Sequence, residues 1–178
     1  AAGRSGVGAV MGSKKLKAIV VKATRTKLDN IADLDALKAA TKRSMYLIKE
    51  NGVTGSGLRA LGTAVLVNII NNVGSLPTKN WQESYYEKAE DVSGEALAEK
   101  YLVKAGACHR CPIACGRVVR VGDKVVGGPE YEPLWAYGAN MDNNDLASIN
   151  EANMWCNEYG LDAISVPCTI AAAMELYQ

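Results

Sequence analysis

The stretch GRVVRVGDKVVGGPEYEP, Gly116–Pro133, contains two short runs of β-branched residues on either side of Gly122-Asp123. Valine is enriched in strands, and a glycine beside an aspartate is typical of the tight turn that joins two antiparallel strands. The stretch therefore predicts a small β-hairpin, and the segments around it indicate what the hairpin packs against.

Helices are predicted on both sides of this hairpin. Their apolar residues recur at helical spacing, and their ends carry the serine, asparagine and glycine residues that cap helices. In chain order they are Ala32–Lys49, Ser93–Gly106, a helix from Asn143 or Asn144 to Gly160, and a helix from Ser165 onward with Pro167 in its first turn.

The start of the chain has a different pattern. The β-branched run LKAIVVK, Leu16–Lys22, predicts a buried strand, and a glycine-rich segment precedes it. We therefore expect an α+β chain, with a strand-bearing segment up to about Asn30 followed by a mostly helical region. The sequence has no initiator methionine and stops within an apparent helix, so we interpret it as a piece of a larger protein.

Composition limits the class of protein. Of the 178 residues, 48% are hydrophobic and 22% are charged, with a formal net charge of +1. Such a chain can bury a core, but it lacks the basic excess with which proteins bind nucleic acids or membrane surfaces. The longest apolar runs are far below the roughly 18 residues that span a bilayer. We expect a cytoplasmic protein, whose clustered cysteines would bind metal rather than form disulfides.

The strongest chemical signal is the spacing C-x2-C-x3-C of Cys108, Cys111 and Cys115. Short loops of this kind hold iron–sulfur clusters, often with a fourth cysteine that is distant in sequence. A zinc site would need another ligand, and His109, between two of the cysteines, is awkwardly placed to provide it. Pro112 stands where a haem-attachment motif has histidine. An iron–sulfur cluster is favoured, and three buried free cysteines remain the alternative.

Two other segments could bind a ligand. The glycines and basic residues of GRSGVGAVMGSK, Gly3–Lys14, resemble a phosphate-binding loop, but they match no named motif and precede the predicted strand. In NEYGLDAIS, Gly160 ends one helix and Asp162 can cap the next, so polar groups converge. A tight turn in the first segment and a plain helix connection in the second remain equally open.

A candidate general acid or base lies in GGPEYEP. Glu130 and Glu132 alternate in a stretch that we expect to be extended, and one of them could be half-buried among aromatic residues, as a general acid or base often is. Two ordinary surface carboxylates are the commoner alternative.

Five segments together closely resemble the tungsten-containing aldehyde ferredoxin oxidoreductase family. They occur in the family's order and at suitable intervals, which is more specific than any one motif. The segments are AAGRSGVGAVMGSKKLKAIVV, LGTAVLVNIINNVGSLPTKNW, CHRCPIAC, GGPEYEPLWAYGAN and NEYGLDAIS. The resemblance implies that residues 1–30 end a β-rich N-terminal pterin-binding domain. Residues 31–178 would belong to a mostly α-helical middle domain with the iron–sulfur loop and a small β-hairpin.

The resemblance also implies the cofactors, namely one 4Fe-4S cluster and a tungsten (or molybdenum) bis-molybdopterin. Cys108, Cys111 and Cys115 would be three cluster ligands, and the fourth would come from a region beyond this chain. Ala1, Gly3 and Arg4 match a pterin-contacting segment. The pterin motif D-x-x-G-L-D matches Asn157, Gly160, Leu161 and Asp162, with asparagine in place of the first aspartate.

In such an enzyme an aldehyde is oxidised to a carboxylic acid, and two electrons leave through the cluster to ferredoxin. Glu132 matches a glutamate proposed to assist proton transfer, and Glu151 resembles a carboxylate that binds a bridging iron between subunits in some members, which would imply a homodimer. The alternatives are a related tungsten enzyme acting on a carboxylic acid, glyceraldehyde-3-phosphate or an aromatic ring, and a non-catalytic zinc or iron–sulfur module. From the near-neutral charge we expect neither nucleic acid nor a membrane as a partner.

Overall fold

The structure is a computed structural model that describes residues 7–22 and 31–177. Five α-helices precede three consecutive short strands and three more α-helices follow them, with short 3-10 or π-helical segments between some of the helices. The α-helices are α1 (Val7–Ser13), α2 (Leu34–Glu50), α3 (Leu58–Leu61), α4 (Leu66–Asn72), α5 (Gly94–Lys100), α6 (Tyr131–Tyr137), α7 (Leu146–Tyr159) and α8 (Ser165–Tyr177). The strands are β1 (Leu102–Gly106), β2 (Gly116–Val121) and β3 (Lys124–Gly127).

The strands form one antiparallel sheet in the order β1-β2-β3. Val121 pairs with Lys124 across the two-residue turn Gly122-Asp123, where Gly122 has a φ of 55°, so the predicted hairpin is confirmed. The third strand was not expected. The helix predicted up to Gly106 ends at Lys100, because the apolar and β-branched residues that follow pair with β2 instead of continuing the helix.

The helices after the hairpin follow the sequence closely. Gly160 ends α7 with a φ of 70°, and its N–H donates to the carbonyl of Cys156, as expected for a glycine at a helix C-terminus. The N-cap is Asp145, whose carboxylate accepts a hydrogen bond from the N–H of Ala147 at 3.0 Å, rather than one of the two preceding asparagines. Near the other end of the chain, α2 agrees with the predicted helix to within two residues.

The strand predicted at Leu16–Lys22 is not a strand in this structure. The segment has no secondary structure, and Ile19, Val20 and Val21 are 75%, 88% and 85% exposed. A strand needs a neighbour to satisfy its backbone hydrogen bonds, and among residues 7–22 and 31–177 no strand pairs with this run. β-branched residues alone therefore did not determine its structure.

The core is a single cluster of apolar side chains contributed by α4, α5, α6, α7 and β2. Its fully buried members include Val67, Leu97, Val119, Leu134 and Ile149. Because α6 contacts α4, α7 and α8, it is the element around which the rest of the helical region packs.

Length and composition alone would also allow the helical stretch Val53–Asn72 to cross a membrane. A helix from the core of a soluble protein meets the same criteria, so this is weak evidence. Ala64 and Val67 of the stretch are fully buried, but only 17% of its most apolar 18-residue window is buried.

Candidate functional site

The three clustered cysteines lie in the connection between β1 and β2. Gly106 and Gly116 pair across the sheet, so the two ends of this connection, which we call the cysteine loop (residues 107–115), are held side by side. Cys108 is exposed, Cys111 and Cys115 are partly buried, and all three are free thiols. The loop therefore presents its thiols at one edge of the fold.

Two residues of the cysteine loop have an uncommon backbone conformation. Arg110 and Ala114 have φ values of 56° and 55°, and each directly precedes a cysteine. Left-handed backbone costs about 1–3 kcal/mol at a residue with a side chain, and it is found most often at functional sites. Between them the N–H of Cys111 donates to the carbonyl of Cys108 at 3.0 Å. The chain is thus folded tightly at the two points where cysteines follow.

The donor chemistry of the loop fits an iron–sulfur cluster, which is held by four thiolates. The loop supplies three thiols on a short segment, one fewer than a cluster requires. Among the residues that the structure describes, no three His, Cys, Asp or Glu side chains come together closely enough to hold a metal ion. The loop is therefore a source of ligands of the right kind, and its sulfur atoms would have to converge when metal binds.

A buried cation lies against the cysteine loop. Arg117, the second residue after Cys115, is 4% exposed. Its Nη2 and Nε donate to the carbonyls of Ala114 and Gly116 at 2.6 and 2.8 Å, and its Nη1 donates to that of Ala60 at 2.7 Å. Burial lowers the pKa of Arg117, and the charge of Cys115 acts in the opposite direction. Arg117 is a site residue that the sequence analysis missed, and its position two residues after the last cysteine was the available signal.

The turn of 3-10 helix Gly62–Val65 connects the cysteine loop with α6. A Cβ atom at Gly62 would lie 2.5 Å from the carbonyl oxygen of Cys115 and 3.0 Å from the Nε of Arg117, so only glycine fits. The next residue, Thr63, accepts a hydrogen bond at 3.0 Å from the N–H of Tyr131, the first residue of α6. One turn therefore contacts both the cysteine loop and the start of the helix that carries Glu132.

Glu132 lies in the first turn of α6 and is partly buried. The extended conformation predicted for it is wrong, because the helix begins at Tyr131. The first turn of a helix tolerates proline, such as Pro133, and favours a carboxylate. Glu130, the N-cap residue, is exposed and accepts a hydrogen bond from the hydroxyl of Thr63 at 3.5 Å. Burial, and to a smaller extent the charge of Glu132, raise the pKa of Tyr131.

The predicted pterin motif forms the connection between α7 and α8. Asn157 lies exposed near the end of α7, and Leu161 is 49% exposed. The carboxylate of Asp162 accepts hydrogen bonds at 2.9 Å from the N–H of Ile164 and from the hydroxyl of Ser165. Asp162 therefore caps the start of α8, as expected, and its position is fixed by the helix.

Four candidate residues remain, three at the start of the chain and one on α7. Ala1, Gly3 and Arg4, predicted to contact pterin, lie outside the residues that the structure describes. Glu151 is exposed on α7, where one of its carboxylate oxygens accepts a hydrogen bond from the indole N–H of Trp155 at 3.3 Å.

Comparison with known proteins identifies a matching family model and several similar chains. The family model described as aldehyde ferredoxin oxidoreductase, domains 2 and 3, matches residues 39–178. Over its whole length the chain is 52% identical to the tungsten-containing aldehyde ferredoxin oxidoreductase of Thermococcus kodakarensis and 53% identical to that of Pyrococcus furiosus. It is also 32% identical to a protein of P. furiosus named aliphatic sulfonate oxidoreductase, WOR-like subunit. The chain spans 29% of the length of each relative.

Proposed function

The chain belongs to the tungsten-containing aldehyde ferredoxin oxidoreductase family, and we propose that it is the part of such an enzyme that carries the electron-exit cluster and one side of the metal–pterin site. The whole enzyme would oxidise an aldehyde to a carboxylic acid and pass the electrons to ferredoxin. The observation that supports this most directly is the cysteine loop, within a chain that is about half identical to named enzymes over its full length.

The proposed 4Fe-4S cluster would be held by Cys108, Cys111 and Cys115, with a fourth thiolate from a part of the protein outside this chain. The exposure of Cys108 in this chain leaves its sulfur accessible to a ligand group from another part of the protein. A zinc or iron–sulfur module without catalysis would use the same loop, but it would not need Glu132 or the motif at the end of α7.

The proposed tungsten (or molybdenum) bis-molybdopterin would contact Asn157, Gly160, Leu161 and Asp162, together with Ala1, Gly3 and Arg4. The exposed polar groups between α7 and α8 suit the hydrogen-bonding edge of a pterin. Asp162 would keep its place through its bonds to α8, so that the helix orients the cofactor contact. When bound, the metal–pterin centre supplies the two-electron redox chemistry.

Glu132 is the proposed general base. Oxidation of an aldehyde by water forms a carbon–oxygen bond and releases two electrons and two protons, so a group must accept a proton from the attacking water. A partly buried carboxylate in the first turn of α6 can accept this proton. Tyr131 beside it has a raised pKa and so remains neutral at the pH at which a carboxylate base works.

The cluster can be tested with Cys111→Ser in the full-length enzyme. We expect loss of the electron paramagnetic resonance signal of the reduced cluster and loss of ferredoxin reduction, since serine is a poor ligand for iron–sulfur clusters. Cys168→Ser is the control, because Cys168 lies on α8, away from the loop, and should leave the signal intact. Ferredoxin reduction retained in Cys111→Ser, or stoichiometric zinc in the unmodified enzyme, would contradict the proposal.

A different substrate on the same scaffold is the second candidate. The support for it is the 32% identity with the relative named as an aliphatic sulfonate oxidoreductase. Identities of 51–53% with four proteins named as aldehyde enzymes favour the aldehyde. Steady-state assays with aliphatic aldehydes and aliphatic sulfonates as competing substrates would decide between the two.

A further inference from the structure

The guanidinium of Arg117 is a buried charge that forms no ion pair with a carboxylate of the residues that the structure describes. Its side chain is 4% exposed, and all three hydrogen bonds assigned to it end on backbone carbonyls. Among residues 7–22 and 31–177, no aspartate or glutamate forms an ion pair with Arg117. A buried ion is strongly unfavourable unless it is both hydrogen-bonded and near an opposite charge. The backbone carbonyls provide the hydrogen bonds, but they do not provide an opposite charge.

The position of Arg117 indicates where the opposite charge belongs. Two of its three acceptors are the carbonyls of Ala114 and Gly116, the residues immediately before and after Cys115. Gly62 lies close to both the Cys115 carbonyl and the Arg117 Nε, so the guanidinium packs against this end of the loop. The charge of the Cys115 thiolate also acts on the guanidinium and favours its charged form, so negative charge at this sulfur would lie near the cation.

We propose that Arg117 is the built-in countercharge of the iron–sulfur cluster and that it raises the cluster's reduction potential. This inference rests on the cluster proposed above. Four thiolates and the sulfides make such a cluster an anion, and one-electron reduction adds to its negative charge. A cation fixed nearby in a medium of low dielectric constant stabilises the reduced form more than the oxidised form.

The geometry also explains why this cation is arginine. The planar guanidinium presents N–H groups in a fixed fork, and here the fork reaches three carbonyls on two different segments of the chain. The bond to the carbonyl of Ala60 anchors the side chain outside the cysteine loop. A fixed charge of this kind changes the equilibrium for reduction without itself gaining or losing a proton.

The test is a redox titration of the full-length enzyme, monitored by the electron paramagnetic resonance of the reduced cluster. In Arg117→Met we expect at least a tenfold decrease in the equilibrium constant for cluster reduction, which for one electron is a potential lower by about 59 mV. Arg117→Lys keeps the charge and should restore most of the difference. The control is Arg120→Met, which removes an exposed cation three residues further along β2 and should leave the potential unchanged.

Each outcome decides the matter. A potential unchanged in Arg117→Met, or lowered equally in the lysine and methionine variants, overturns the inference, because charge would then not be what matters. If Arg117→Met assembles no cluster, Arg117→Lys decides the matter. A cluster at nearly the original potential in the lysine variant supports the countercharge. A missing cluster in the lysine variant overturns the inference, because the shape of arginine and not its charge is then required. The absence of a cluster in the unmodified enzyme would instead contradict the proposed function.

Discussion

Gly62 and Thr63 are two adjacent residues, neither of them a candidate ligand or base, that relate the cysteine loop to Glu132. Gly62 has φ 69° and ψ −163°, a combination that is essentially restricted to glycine. Thr63 receives the N–H that begins α6. The cysteine loop and the start of α6, which carries Glu132, are therefore positioned by the same backbone turn. A change at one residue of this turn should affect both.

Gly62→Ala should lower the free energy of unfolding by about 1–3 kcal/mol, because it combines an unfavourable backbone conformation with a steric clash. Its Cβ would lie 2.5 Å from the Cys115 carbonyl oxygen, so we also expect less cluster per enzyme molecule. Chemical denaturation and iron analysis of the full-length protein measure the two effects.

The control for this change is Gly52→Ala, where a Cβ meets no atom within 4 Å and the φ of −57° suits any residue. Equal stability and iron content in the two variants would show that Gly62 has no special role.

Glu132→Gln should lower kcat by about 10²–10⁴-fold, with the cofactors still bound, if the carboxylate accepts a proton in the reaction. Glu130→Gln is the matched control, since Glu130 lies two residues earlier and is exposed. Metal analysis and steady-state kinetics of both variants check the expectation. Comparable rates in the two variants would show that the carboxylate of Glu132 is not needed for proton transfer.

At the scale of elements, the sequence was most informative where a residue type had one structural use. Gly122-Asp123 and Gly160 stand at a turn and a helix end because glycine accepts positive φ, and both were predicted. Elements that depend on a partner were not predicted. The segment Leu102–Gly106 became a strand through pairing with β2, while Leu16–Lys22, with a stronger strand pattern, has no such neighbour among the described residues.

The candidate site follows the same division. Cys108, Cys111, Cys115 and the cap Asp162 could be named from spacing, because their roles are local. Glu132 lies in a helix whose first residue, Tyr131, donates its N–H to Thr63, 68 residues earlier, and local spacing does not predict such a contact. Arg117 could not be assigned a role because its burial results from contacts with a distant carbonyl.

Asn71 connects α4 with the segment before α5 and should be essential to that contact. Its amide accepts from the N–H of Tyr86 at 2.8 Å and donates to the carbonyl of Tyr86 at 3.0 Å, and it is 5% exposed. Asn71→Ala leaves the N–H of Tyr86 buried without a partner, at about 1–3 kcal/mol, whereas the carbonyl of Tyr86 still accepts a hydrogen bond from the N–H of Ala89 at 3.2 Å. Denaturation of the full-length enzyme measures the loss.

Asn68→Ala provides the comparison on the same helix. Asn68 donates to the carboxylate of Glu95 at 3.1 Å near the surface, so its loss should change stability by no more than about 0.5 kcal/mol. If both asparagine variants were equally stable, the hydrogen bonds between Asn71 and the backbone of Tyr86 would contribute little to stability.

At the scale of the whole molecule, one apolar core joins α4, α5, β2, α6 and α7, and both candidate loops are attached at its edge. The cysteine loop leaves the core between two strands, and the pterin motif leaves it between two helices. Two tyrosines from this core, Tyr86 and Tyr137, are 3% and 6% exposed. Their burial makes the stability of the core sensitive to alkaline pH.

Burial, and to a smaller extent the charge of Asp142, raise the pKa of Tyr86 to about 12. A tyrosine in the unfolded chain ionises near pH 10. The stabilisation is therefore fully present below about pH 10 and is lost as the pH rises toward 12, at about 1.4 kcal/mol per pH unit. Burial also raises the pKa of Tyr137, so it contributes in the same direction.

Tyr86→Phe should reduce this alkaline loss, because one of the tyrosines that must ionise on unfolding is gone. The free energies of unfolding at about pH 9 and about pH 11 should differ less in the variant than in the original protein. Tyr159→Phe, at a residue that is 71% exposed, should leave the difference unchanged. An identical pH dependence in all three proteins would contradict the assigned pKa of Tyr86.

The pairing of Gly106 with Gly116 has a consequence for how the cluster is assembled. In an open chain, bringing together ligands that are several residues apart has an entropic cost that grows with the logarithm of the loop length. Here the pairing of β1 with β2 closes the nine-residue loop. Part of the entropic cost of bringing the three cysteines together is therefore met by formation of the sheet, and the binding energy of a metal centre would not have to meet it.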